Sequence, residues 1–148
     1  MNIILTRPSL DIKEKVLDYW NEFKSYNESL FDDDKGIQID TSYEKWLEKV
    51  TNDTCLSTVS EDWVVTDTFF AVRKTDNKIV GMCELRHCTN DVIKDFGQIG
   101  YDTRPTERKK GYATEMVKKL LEVALKSNMK EVFISVENTN IASIKIIE

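Results

Sequence analysis

Apolar residues recur along the chain in two periods, and the places where the period changes divide it into elements. Ala113, Met116, Val117, Leu120, Leu121, Ala124 and Leu125 stand three and four residues apart, with Glu115, Lys118, Lys119, Glu122 and Lys126 between them. That spacing predicts an amphipathic helix. On its outer face Glu115–Lys119 and Glu122–Lys126 are four-residue ion pairs in the favourable orientation. Val16, Leu17, Trp20 and Phe23 predict an earlier helix from about Asp11 to Lys24. Tyr43, Trp46, Leu47 and Val50 predict another, capped by Thr41 or Ser42. The β-branched and aromatic run Thr68–Arg73, the turn Thr75-Asp76-Asn77 and the returning run Lys78–His87 predict a hairpin. Further strands are expected at Asn2–Thr6, Gly97–Thr103 and Glu131–Val136. The last should lie parallel to its predecessor, because a helix joins them. Asn138 to Glu148 is expected to begin a final helix.

Composition narrows the partners. A chain of 148 residues is expected to form one domain, residues 1–148, with a core of its own. With 41% hydrophobic and 32% charged residues it has the make-up of a soluble globular protein. A net charge of −5 argues against a general nucleic-acid binder. No apolar run approaches the ~20 residues that cross a membrane, and the apolar run at the N-terminus is too short for a signal peptide. Cys55, Cys83 and Cys88 lack metal-type spacing and read as free thiols in a reducing cytoplasm, with no metal expected.

The candidate chemistry lies between the strand ending at Thr103 and the long helix. There Arg108, Lys109, Lys110, Gly111, Tyr112 and Ala113 follow one another, with Thr114 next. Gly111 can adopt angles closed to other residues, and Ala113 permits close approach. Unpaired N–H groups and the dipole at a helix N-terminus favour an anion. Three neighbouring cations make the spot a phosphate cradle. The chain has neither a P-loop nor a G-x-G-x-x-G fingerprint.

The pattern Thr103, Pro105, Arg108, Gly111, Ala113 resembles the cofactor motif of the GNAT superfamily of N-acetyltransferases, roughly V-x-P-x-x-R-x-x-G-x-G/A, with Thr in place of the aliphatic residue. The likeness extends into VGMCELRH before it and VFISVENTNIAS after it, about the last half of the chain. It implies an α/β fold in which a mixed, mostly antiparallel sheet carries helices on both faces, the first two lying over an acceptor groove. It also implies two further strands beyond the last helix, so the chain reads as truncated at its C-terminus. An uncovered sheet edge, with Ile141, Ile144, Ile146 and Ile147 on a terminal helix, would then lead to a homodimer or to a fold of low stability.

The activity implied is acetyl transfer from acetyl-CoA directly to an amine of a small molecule or peptide, without a metal. Arg108, Lys109, Lys110, Gly111, Tyr112, Ala113 and Thr114 would anchor the diphosphate. Tyr101 and Thr103 would offer backbone contacts to pantetheine, and the Tyr101 N–H would also serve catalysis by stabilising the oxyanion. Asn140 and Ser143 match the family's N-x-x-[AS], where Asn140 could equally be a helix cap. The Glu that some relatives use as base would fall near Gly97 and is absent. Glu84, sharing a strand face with Met82 and Arg86, is the candidate base, and a structural ion pair with Arg86 is its plainer role. His87 points to the opposite face. Ile147 stands where many relatives place an acidic Tyr. Asp32, Asp33 and Asp34, near Glu28, either steer a cationic acceptor or are simply solvated. A non-catalytic acyl-CoA-binding module is the alternative reading.

Overall fold

The computed structural model describes residues 2–28, 42–61, 63–88, 97–136 and 140–145. In chain order the elements are β1 (Ile3–Thr6), a 3-10 turn (Leu10–Ile12), α1 (Lys13–Ser25), α2 (Tyr43–Asn52), β2 (Thr66–Arg73), β3 (Ile79–Arg86), β4 (Ile99–Thr103), α3 (Tyr112–Lys126), β5 (Glu131–Val136) and β6 (Asn140–Lys145). Strands β1 to β4 form one antiparallel sheet in sequence order.

Alternation along the strands sorts the core into two layers. Ile3, Phe69, Ala71, Cys83, Leu85 and Ile99 meet Tyr112, Met116, Leu120 and Ala124 of α3 on one face. Phe70, Ile79 and Met82 meet Val16, Tyr19, Trp20 and Phe23 of α1 and Tyr43, Trp46 and Val50 of α2 on the other. Val80 interrupts the alternation. Ala71 pairs with Gly81 and Val72 with Ile79, so Val80 is an extra residue, a β-bulge. Both Val80 and Gly81 thereby face α3. A Cβ on Gly81 would stand 2.7 Å from Met116 Cε and 2.9 Å from the Asp102 carbonyl oxygen, so the helix can pack this closely only over glycine.

Helices α1 and α3 end alike. Asn27 (φ 54°) and Asn128 (φ 65°) take the left-handed conformation. Glu28 N–H then reaches Phe23 O (2.9 Å) and Met129 N–H reaches Ala124 O (3.0 Å). These are Schellman closures, with asparagine in the position glycine usually holds. At the start of α2, Ser42 is the cap, its hydroxyl accepting from Lys45 N–H at 3.2 Å.

Two expectations are corrected. Residues 140–145 form strand β6, antiparallel to β5 with Val132 opposite Ile144 and Val136 opposite Asn140, and not the first turns of a helix. β-branched Ile141 and Ile144 favour an extended chain once β5 offers a ladder. Asn140 therefore caps no helix, and the apolar helix invoked for dimerisation is absent over these residues. Nor is β5 a parallel ladder neighbour of β4. The β5–β6 hairpin forms its own sheet, joined to the larger one among the described residues by an antiparallel-type bridge, Gly97 to Ile134. Beside that bridge Gln98 N–H donates to Phe133 O (2.5 Å) and Phe133 N–H to Gln98 Oε1 (2.9 Å). A side-chain amide here finishes what a backbone ladder does not.

Candidate active site

Strand β4 closes one edge of the four-stranded sheet. Two hydrogen bonds fix which way its peptides turn: Arg86 N–H to Gln98 O (2.7 Å) and Arg104 N–H to Val80 O (2.8 Å). Antiparallel alternation then directs the peptide groups of Gly100 and Asp102 at β3 and those of Tyr101 and Thr103 outward, at the open edge. The Tyr101 ring lies on the α3 side and is 42% exposed.

After Thr103 the chain makes a 3-10 turn (Pro105–Glu107) and enters α3 through two left-handed residues, Lys109 (φ 64°) and Gly111 (φ 88°). The backbone N–H groups from Lys109 to Thr114 have no protein acceptor among the described residues. The first donation of the helix is Glu115 N–H to Gly111 O at 3.1 Å. Tyr101, Thr103, Arg108, Lys109, Gly111, Tyr112, Ala113 and Thr114 all line one open cleft of about 410 Å³. An adjoining cleft of about 230 Å³ reaches from Tyr101 and Ala113 to Val117 and Lys118. A Cβ on Gly111 would meet nothing within 4 Å, so this glycine is required by its φ and not by crowding.

The cradle is braced from both sides, by residues the sequence motif does not include. From α1, Glu22 Oε2 accepts from Thr106 N–H and Oγ1 (both 2.9 Å) and Oε1 accepts from Arg104 (3.0 Å). Burial works to raise the Glu22 carboxyl, but the bonds from Thr106 and Arg104 prevail and lower it. Tyr19 Oη donates to Asp102 O at 3.2 Å. From the β2–β3 hairpin, Arg73 (2.8 Å) and Lys78 (3.2 Å) converge with Lys110 (2.9 Å) on Glu107. Burial opposes ionisation of Glu107, yet those cations hold its carboxyl down at about 2. Arg73 also donates to Tyr112 Oη at 3.2 Å.

Of the three motif cations, Lys110 is thus tied to Glu107 and Arg108 to Glu28, and Lys110 does not line the cleft. Lys109 is the one without an ion-pair partner among the described residues. The braces from α1 and from the β2–β3 hairpin join residues 29 to 84 positions apart in sequence, and no local pattern announces them.

Glu84 faces α1 and α2 opposite Gly100, with Met82 and Arg86 on the same face as expected. It is 2% exposed and ion-paired with Arg86, whose other amino group donates to Gly97 O at 2.9 Å. Glu84 lines neither of the two clefts beside the cradle. The pairing therefore speaks for a structural role, fixing the start of β4. His87 lies on the opposite face and bonds Asp67 (2.7 Å), which also accepts from Arg7 (2.9 Å). The Asp67 carboxyl is lowered, His87 and Arg7 outweighing burial. A larger cavity of about 470 Å³ is lined by Arg7, Asp67, Thr68 and the end of α2. It holds none of the motif residues, and its charges already satisfy one another.

Asn140 and Ser143 lie on β6, while Asp32–Asp34 and Ile147 fall outside the described residues. Among the described residues no cluster of His, Cys, Asp or Glu could hold a metal, and no helix is long and apolar enough to cross a membrane.

Comparison with known proteins shows the family and the fold. The acetyltransferase (GNAT) domain family model matches residues 11–148, and the chain belongs to that family. No curated protein matches the chain. Among solved structures, the microcin C7 self-immunity acetyltransferase MccE, in complex with acetyl-CoA and AMP, superposes with a TM-score of 0.61 at 20% identity, over 90% of this chain and 68% of that one. RimL, a ribosomal L7/L12 α-N-protein acetyltransferase in complex with coenzyme A, gives 0.61 at 12%, over 90% and 70%. A chimera of the spermidine N-acetyltransferase SpeG from Vibrio cholerae and hSSAT gives 0.58 at 14%, over 90% and 70%. At these identities the superpositions establish the shared α/β fold.

Proposed function

We propose that the chain is an N-acetyltransferase that passes the acetyl group of acetyl-CoA directly to a primary amine of a small molecule or peptide. One observation carries the reading: the row of undonated N–H groups from Lys109 to Thr114, set beside the outward-turned peptides of Tyr101 and Thr103. The row fits a diphosphate, each charge-assisted bond contributing roughly 1.5–3 kcal/mol. The outward peptides fit the amides of pantetheine. Bound acetyl-CoA would supply a thioester already activated toward amines. Tyr101 N–H would then donate to the thioester oxygen and stabilise the charge that gathers there as the amine attacks. Direct transfer is supported by the cysteines: burial pushes the Cys83 thiol up, and neither Cys55 nor Cys88 lines the cleft. The named activities of the superposed acetyltransferases, on spermidine and on a ribosomal protein, support an amine acceptor.

A non-catalytic acyl-CoA-binding module is the second reading. It is favoured by Gly97, which brings no side chain to the place of the expected base, and by Glu84 being tied to Arg86.

Calorimetric titration of acetyl-CoA, with Gly111→Asn and Gly111→Asp beside the wild type, tests the cradle. Both replacements tolerate a positive φ, and they differ essentially in charge. Binding by wild type and Gly111→Asn, weakened about tenfold or more in Gly111→Asp by charge repulsion, is expected. A folded wild type that binds no acetyl-CoA would overturn the reading. Turnover with a panel of amines separates enzyme from binding module.

A further inference from the structure

We infer that Glu28, outside the cofactor motif, competes with the cofactor's diphosphate for Arg108 and so tunes cofactor affinity. The inference rests on the cofactor reading above. Arg108 Nη1 and Nη2 donate to Glu28 Oε2 (3.0 Å) and Oε1 (2.6 Å), so the fork that matches a phosphate is filled by one carboxylate. Arg108 Nε donates to Thr103 O at 3.3 Å. The same side chain therefore also covers the outward carbonyl of Thr103, a group expected to meet pantetheine. Its guanidinium carbon lies 5.8 Å from the centre of the Phe23 ring.

Glu28 is placed for this by the end of α1. Asn27 takes the left-handed conformation that closes the helix, and Glu28 N–H is anchored on Phe23 O at 2.9 Å. Backbone and carboxylate thus arrive together at the turn whose Phe23 supports Arg108. Release of Glu28 frees the guanidinium fork of Arg108, which lines the cleft. The pair is half-exposed, with side chains 36% and 41% accessible, which limits how firmly it can hold.

The test is the dissociation constant of coenzyme A for wild type, Glu28→Gln, Arg108→Gln and the double variant, with melting temperatures taken alongside. Glu28→Gln should bind about two- to fivefold more tightly, the range an exposed ion pair permits. The gain should vanish when Arg108 is already Gln. A carboxylate that merely braces the fold would lower the melting temperature and leave coenzyme A affinity unchanged or weaker; that result overturns the inference while the cofactor reading stands. Persistence of the gain in the Arg108→Gln background would also overturn it, since the effect would then not pass through Arg108. Absence of coenzyme A binding to every form, all folded, removes the cofactor reading and this inference with it.

Discussion

The two faces of the central sheet are held by different forces. Toward α3 the contacts are mostly aliphatic: Met116, Leu120 and Ala124 settle on Ala71, Val80, Cys83 and Leu85. Toward α1 and α2 they are aromatic and directional. Trp20 and Trp46 meet edge to face at 5.0 Å, Tyr43 Oη donates to Ser9 O (2.6 Å), and the Glu84–Arg86 pair lies in the same layer. The first face fixes a distance, how near α3 and its N-terminus come to β4. The second fixes orientation, through Tyr19 and Glu22 on the Asp102–Thr106 segment. A loop that must present a row of N–H groups needs both: shape complementarity alone leaves it free to slide, and hydrogen bonds alone leave it free to lift.

That division can be broken at its strongest point first. Arg86→Met leaves Glu84 as an uncompensated charge in a site only 2% exposed, and should cost about 3–5 kcal/mol in urea denaturation. Glu84→Leu combined with Arg86→Met should recover most of it, because the pair's cost is desolvation. A single variant as stable as wild type would remove the directional account of this face. On the other face, Gly81→Ala asks whether α3 has slack. With Met116 atoms 2.7 and 2.8 Å from the new Cβ, a loss of about 1–3 kcal/mol is expected in the same assay. No loss would mean that the helix can retreat.

The smallest effect lies at the rim, where charge enters the α3 side. The Glu107 carboxyl is held at about 2, below its ordinary 4.5, so its ion pairs stabilise the fold fully above the ordinary value and are lost as pH falls toward 2. Glu107→Gln should melt about 3 °C lower at neutral pH, the shift a contribution near 1 kcal/mol gives in a domain of this size. Its melting temperature should fall less steeply than that of wild type between pH 4.5 and 2. Parallel curves would assign Glu107 no net role.

Local chemistry was the legible part. Helix α3 and strand β5 follow from contiguous periodicity, and the cradle follows from six consecutive residues whose backbone needs are written in their own side chains. What escaped reading depends on distant partners. Residues 140–145 carry β-branched isoleucines together with a helix-start pattern, and only the presence of β5 decides between them. Val80 is one valine in an ordinary strand sequence. The carboxylates that hold the cradle cations come from the end of α1 and from the turn before the cradle. Glu28 becomes a partner of Arg108 only once the sheet has brought β4 beneath α1, whereas Glu107 and Lys110 stand three residues apart.

The bulge at Val80 acts as a phase shift. Before it, odd-numbered Ile79 faces the tryptophans; after it, even-numbered Met82, Glu84 and Arg86 do. Removing that one residue would straighten the strand yet leave Met82, Glu84 and Arg86 toward the aromatic layer and Cys83 and Leu85 toward α3, because Val80 and Gly81 already share a face. What would be lost is the local bend and a valine packed against α3. The extra residue sets the course of the strand, and not the division of its side chains between the two cores.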